Sequence, residues 1–149
     1  MTNKIIKTRP LKTIETNRPG LVYSVSMDAR DHECDIQGVV NNAHYQHYFE
    51  HARHRFLLDN DIDFAALAQQ NINLMVSKIE IEYLGSIVAH DQFYVTVEVM
   101  AESKIRYQFV QNIYKQTNDV LLAIAKTTVV TVGENKKLLR QSPLQKLTH

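Results

Sequence analysis

Apolar residues recur at helical spacing in one long stretch of this chain, whereas everything after residue 72 alternates. Tyr45, Tyr48, Phe49, Ala52 and Phe56 sit at i, i+3, i+4, i+7 and i+11, which lays them in one stripe on a helical wheel. Asn41 or Asn42 suits the N-cap, and the pattern runs out near Asn60. Residues 63–68 read as a short second helix capped by Asp63. Ahead of the long helix, Leu21, Tyr23, Val25, Met27 and Ala29 alternate with Val22, Ser24, Ser26 and Asp28, the pattern of a half-buried strand. Downstream, Ile79, Ile81 and Tyr83 alternate with Lys78, Glu80 and Glu82. Phe93, Val95, Val97 and Val99 alternate with Tyr94, Thr96 and Glu98, and Ile105, Tyr107 and Phe109 with Arg106 and Gln108. Residues 120–132 are apolar on both faces, as a central strand would be. One long helix cannot cover both faces of five strands. The spacing therefore predicts an α+β domain in which a curled, five-stranded antiparallel sheet wraps one long helix. Exposed sheet edges favour pairing with a second copy, as a homodimer or homotetramer.

A chain of 149 residues fits one domain with a real core. The expected domain is 21–140. Residues 1–20 carry Lys4, Lys7, Arg9, Lys12 and Arg18 with Pro10, Pro19 and Gly20, and read as a loosely held arm. The polar residues 141–149 read as a tail. Apolar residues make up 44% but never form a run long enough to span a bilayer, so no membrane insertion is expected. A net charge of +1 argues against a broad nucleic-acid surface. The first residues lack the apolar core of a signal peptide and Cys34 has no partner for a disulfide, which points to the cytoplasm.

The chemistry concentrates in Asp35-Ile36-Gln37-Gly38-Val39-Val40-Asn41-Asn42, between the first strand and the long helix. A turn there can set a carboxylate beside the unpaired N–H groups of a helix start. A carboxylate that attacks or deprotonates water, with donors to hold an oxyanion, is what a hydrolase needs. Gly38 would permit a backbone angle, or a close approach, that a Cβ blocks. Asn41 and Asn42 would cap the helix or orient substrate, and Tyr45 would line a pocket or fill the core. Glu50 and Arg53 are spaced to pair on the helix and read first as structural or interfacial residues. Cys34 reads as a small buried residue, not a nucleophile. His44, His47, His51 and His54 share one helix stripe, and His47-Tyr48-Phe49-Glu50-His51 spells the H-x-x-E-H zinc-hydrolase pattern. That class takes a third ligand from a later helix, and the chain supplies strands there. A polar helix face, solvated or at a subunit contact, is the preferred reading, with no metal in the site and adventitious metal binding by His47 and His51 as the alternative.

From Asp35 through Asn42 and on to Ala43-His44-Tyr45-Gln46-His47-Tyr48-Phe49-Glu50-His51-Ala52-Arg53, the chain resembles the signature of the hot-dog-fold acyl-CoA thioesterases, in particular the 4-hydroxybenzoyl-CoA thioesterase-like branch. The resemblance spans roughly residues 20 to 140, the order of strand, helix and four strands included. It implies hydrolysis of an acyl-CoA or acyl-carrier thioester with Asp35 as nucleophile or general base, and with Gly38, Val39, Val40, Asn41, Asn42 and Tyr45 around the substrate. Glu33 holds the place of a second acid that family members often carry, while Val39 and Asn42 stand where members place histidine. Ser103, Lys104 and Arg106 are candidates to meet the CoA phosphates, with a solvated strand end as the alternative. No cofactor is implied, CoA being part of the substrate. A hot-dog hydratase would need His five residues after Asp35, where Val40 stands. A non-catalytic acyl-thioester-binding protein on the same fold is the alternative from another class.

Overall fold

The computed structural model describes residues 3–7 and 21–148. Eight main elements follow in chain order: β1 (Asn3–Lys7), β2 (Leu21–Asp28), α1 (Asn42–Asp59), α2 (Phe64–Gln69), β3 (Asn73–Tyr83), β4 (Gln92–Ala101), β5 (Arg106–Lys115) and β6 (Leu121–Val132). They form one antiparallel sheet in the order β1-β2-β4-β5-β6-β3. The five strands expected from the sequence are β2 to β6, and they curl around α1. β1 extends the sheet at one edge, its Ile5 opposite Tyr23. Part of the segment read as a loose arm is therefore a paired strand, and residues 8–20 lie outside the described residues.

α1 starts where its side chains predict. The Asn41 Oδ1 accepts from the Ala43 N–H at 3.0 Å, the N-cap bond that a helix start needs. The apolar stripe is the buried stripe: Tyr45, Tyr48, Phe49, Ala52, Phe56 and Leu57 all face the sheet. Phe49, Phe93, Val25, Val95, Phe109 and Ile113 form the centre of the core between helix and sheet. Each such side chain contributes on the order of 1.5–3 kcal/mol on burial. Asp63 caps α2 through the Ala65 N–H at 2.9 Å.

Two expectations are corrected. Arg53 does not pair with Glu50. It turns inward, and its Nη1 donates to the Gln111 Oε1 at 3.1 Å and the Thr127 Oγ1 at 3.3 Å. Gln111 in turn donates to the Phe49 carbonyl at 2.9 Å, so a polar strut joins α1 to the middle of the sheet. The C-terminal stretch is not a loose tail. Pro143–Leu147 form a 3-10 turn capped by Ser142, and Leu144 and Leu147 join the core. Among the described residues no helix is long and apolar enough to cross a membrane.

Candidate active site

The segment between β2 and α1 folds back on itself. Its exit is tied to the β3–β4 connection by Ala29 N–H to the Asp91 carbonyl at 2.9 Å and His90 N–H to the Ala29 carbonyl at 2.8 Å. A single 3-10 turn, Asp31–Glu33, follows. Cys34 then pairs antiparallel with Val40, and the Asp35 N–H donates to the Val39 carbonyl at 2.8 Å. The loop inside this pairing is closed by the Gly38 N–H on the Asp35 carbonyl at 3.0 Å. Gly38 has φ +81°, and a Cβ built on it would meet nothing within 4 Å. Of the two reasons the sequence allows for this glycine, the backbone angle is the one the structure supports.

Asp35 is exposed at the base of this loop. One carboxylate oxygen, Oδ1, accepts from the Gln37 N–H at 2.8 Å. The other has no protein partner among the described residues. Ile36 at the tip is 103% exposed, so the loop stands proud of the chain's own surface.

Backbone bonds fasten the loop to the start of α1. The Asn41 N–H donates to the Glu33 carbonyl at 2.9 Å, and the Val40 N–H to the Ile87 carbonyl at 2.7 Å. Val39 bridges to Val88, and Val40 is buried. Asn41 is committed to capping: its Oδ1 holds Ala43 and its carbonyl accepts from the His44 N–H at 2.9 Å. Asn42, the first helical residue, is exposed, and its N–H has no protein partner among the described residues. It therefore presents a donor at the positive end of the helix. Tyr45 is buried one turn on, its hydroxyl donating to the Gly85 carbonyl at 3.3 Å and its ring 5.1 Å from that of Tyr83. Burial raises the Tyr45 phenol, which keeps it neutral. Tyr83 in turn donates to the Asn42 carbonyl at 3.2 Å. Asp35, Gly38, Val39, Val40, Asn41, Asn42 and Tyr45 thus share one end of the sheet.

The basic candidates are at the other end. Ser103 and Lys104 lie in the turn between β4 and β5, and Arg106 opens β5. The Ser103 Oγ shapes this turn by accepting from the Ile105 N–H at 3.3 Å and the Arg106 N–H at 3.1 Å. A cavity of about 560 Å³ lies beside it, lined by Ser103, Lys104, Tyr107, Arg140 and Gln145, among others. Arg106 is not in its wall. Arg140 is a residue that the sequence did not single out, since nothing marks one cation in a polar stretch. The ten residues of β4 run from Gln92, near Asp35, to Ala101 in this cavity, a length of roughly 30 Å. A single chain therefore does not bring Lys104 to Asp35.

The histidine stripe gathers no metal-ligand set. His44 and His47 meet edge to face at 5.4 Å between ring centres, and His54 packs on Phe64 at 4.7 Å. Among the described residues no group of three or more His, Cys, Asp or Glu side chains is placed to hold a metal ion.

A curled antiparallel sheet around one long helix is the hot-dog fold, and the family to which the chain belongs makes it a thioester hydrolase. The chain belongs to the thioesterase-like superfamily, whose family model matches residues 29–146. It is 29% identical over 143 residues to the acyl-acyl carrier protein thioesterase ATL3, chloroplastic, of Arabidopsis thaliana, covering 88% of this chain and 75% of that protein. It is 31% identical over 111 residues to the ATL2 counterpart from the same plant, covering 74% and 59%. Among solved structures, a 1,4-dihydroxy-2-naphthoyl-CoA thioesterase from Synechocystis superposes with a TM-score of 0.76 at 17% identity, over 79% of this chain and 88% of that one. That likeness bears on the fold alone.

Proposed function

We propose that this enzyme hydrolyses an acyl-CoA or acyl-carrier thioester to free acid and thiol, with Asp35 as nucleophile or general base. What supports this is an exposed carboxylate on the loop that leads into α1, with one oxygen and the N–H of Asn42, the first residue of α1, both without a partner among the described residues. The carboxylate attacks the thioester carbonyl, or takes a proton from the water that does. The carbonyl oxygen gathers negative charge, and the Asn42 N–H with the helix dipole stabilises it. Collapse of the tetrahedral intermediate expels the thiolate. Val39, Val40 and Tyr45 offer apolar walls to the acyl group, and Gly38 sets the loop angle that aims Asp35. Neither metal nor cofactor enters these steps; CoA is part of the substrate. The Arabidopsis relatives are named for acyl-carrier-protein substrates, which supports a carrier-bound thioester beside CoA.

The basic cavity acquires a role if two copies pair. β3 is the edge strand opposite β1, and Met75, Val76, Tyr83 and Leu84 are exposed on it or next to it. Pairing two β3 strands antiparallel turns one copy end for end. The Ser103, Lys104 and Arg106 turn of one subunit then lies at the same end as Asp35 of the other. There its cations can meet the phosphates of the thiol carrier. We read the protein as such a homodimer, or a tetramer built from it, and place it in the cytoplasm on the strength of its lone cysteine.

Thiol release from short, long and aromatic acyl-CoAs and from an acyl-carrier protein tests the reading, with and without chelator. Chelator-insensitive release that falls by roughly 10²–10⁴-fold in Asp35→Asn is the expected result. Unchanged hydrolysis by that variant would sink the role of Asp35. Binding of thioesters with no release of thiol would favour a non-catalytic acyl-thioester-binding protein on the same fold.

A further inference from the structure

We propose that Glu33 and Tyr48 form a clamp that positions the Asp35 loop on α1. The proposal rests on Asp35 acting as proposed above for its kinetic arm, and on the loop alone for its structural arm. Glu33 lies two residues before Asp35 and fifteen before Tyr48, and it is engaged at both its carboxylate and its backbone. Its Oε1 accepts from the Tyr48 hydroxyl at 2.8 Å and from the Arg30 N–H at 2.7 Å. Its carbonyl accepts from Asn41, the residue that caps α1, at 2.9 Å. One residue thus holds the start of the loop, the flank of the helix and the helix cap.

Tyr48 is a fixed anchor for this bond. Its ring is buried and packs on Phe93 with centres 4.7 Å apart. Burial first, and then the Glu33 carboxylate, push its phenol far above the usual range, so it remains a donor at any working pH. The next two links reach the reacting groups. Cys34 and Val40 form the first rung of the loop, and the Asp35 N–H on the Val39 carbonyl forms the next. Sliding Glu33 along α1 would move Asp35 relative to the Asn42 N–H. A misplacement on the order of 1 Å between a reacting carboxylate and its oxyanion donor can cost about a hundredfold in rate. Neither Glu33 nor Tyr48 touches substrate in this account; both are positioning residues.

Three variants test it: Tyr48→Phe, Glu33→Ala and Glu33→Gln. Tyr48→Phe keeps the ring packing and deletes one donor, so its fold is expected to survive. Amide hydrogen exchange over residues 34–42 should quicken in Tyr48→Phe and Glu33→Ala, and stay near wild type in Glu33→Gln, which retains an oxygen acceptor. In thiol release, kcat should fall by roughly ten- to a hundredfold in the first two with KM little changed, and Glu33→Gln should recover most of it. Unchanged exchange in both Tyr48→Phe and Glu33→Ala would overturn the clamp. Glu33→Gln as damaged as Glu33→Ala would overturn it too, by showing that charge and not hydrogen bonding matters. If the wild type released no thiol while the exchange pattern held, the clamp would stand and the thioesterase reading of Asp35 would fall.

Discussion

Gly38 and Arg53 mark the two ways in which single residues specify this molecule, one by backbone angle and the other by a buried charge. At φ +81° with open space around it, Gly38 is needed for conformation alone. Gly38→Ala should cost about 1 kcal/mol in urea unfolding, or else shift the loop and lower kcat, and Gly38→Asn should be milder because asparagine visits this region more readily. Equal kinetics and stability in both variants would show that the loop tolerates a different angle. Arg53 is only 7% exposed, and burial lowers its pKa, yet a guanidinium stays charged. Its acceptors are a glutamine and a threonine, so truncation strands polar groups and opens a cavity. Arg53→Ala should destabilise by about 3 kcal/mol, against about 0.5 or less for exposed Glu50→Ala. Similar losses in the two would restore the surface pair that the i, i+3 spacing suggests. Spacing along a helix records which residues are neighbours, and it does not record which way a long side chain turns.

Elements with a long period were legible and short ones were not. α1 and strands β2 to β6 announce themselves because three or more apolar residues repeat in register. β1 offers only Ile5 and Ile6 among charged neighbours, and Pro143–Leu147 only two leucines, too few to define a period. Leu144 is nonetheless 0% exposed, so Leu144→Ala should cost about 2–4 kcal/mol in denaturant unfolding, whereas removal of a true tail would cost nothing. The site divides along the same line. The Asp35–Arg53 motif marks the carboxylate and its glycine, but the Glu33–Tyr48 bond joins residues fifteen apart with no shared pattern, and no spacing reports that Lys104 lies at the far end of β4. α1 also carries a consequence for pH. The His51 Nε2 is buried without a hydrogen-bond partner among the described residues, and burial, then Arg55 and His54, lower its pKa from the usual 6.5. Burial lowers His54 as well. The folded state then binds fewer protons than the unfolded one. The stability this contributes is present above about pH 6.5 and is lost as pH falls through the lowered folded value. Thermal unfolding at pH 7.5 and 5.5 should show a smaller acid loss in His51→Gln than in wild type. The same loss in both would clear His51 of the effect.

At the scale of the molecule, the sheet has two edges with different characters. β1 closes one with a five-residue strand, while β3 leaves eleven residues along the other. Long exposed edges are normally shortened, charged or covered, because their unpaired N–H and C=O groups recruit further strands. β3 is only partly protected. A bulge at Ser77 and the Lys78–Glu80 pair at 3.0 Å interrupt it, but Met75 and Val76 on one side and Tyr83 and Leu84 on the other stay exposed. The apolar exposure continues past the strand to Val88, against which Val39 of the carboxylate loop is bridged, and Ile36 stands fully exposed close by. A loop that carries the carboxylate proposed to react and an uncovered isoleucine is poorly arranged for a monomer, since water would surround both. A second copy paired along β3 would cover the edge, shelter the loop and supply the distant cations in one step. Replacing the exposed Met75 and Val76 by lysine sets like charges across the two-fold contact. Sedimentation should then change from a dimer or larger species to a monomer. Thiol release should fall with it, by roughly tenfold or more if the partner's cations orient the substrate. Retained activity in a proven monomer would show that Asp35 works without a neighbour, and would return Ser103, Lys104 and Arg106 to an ordinary solvated strand end.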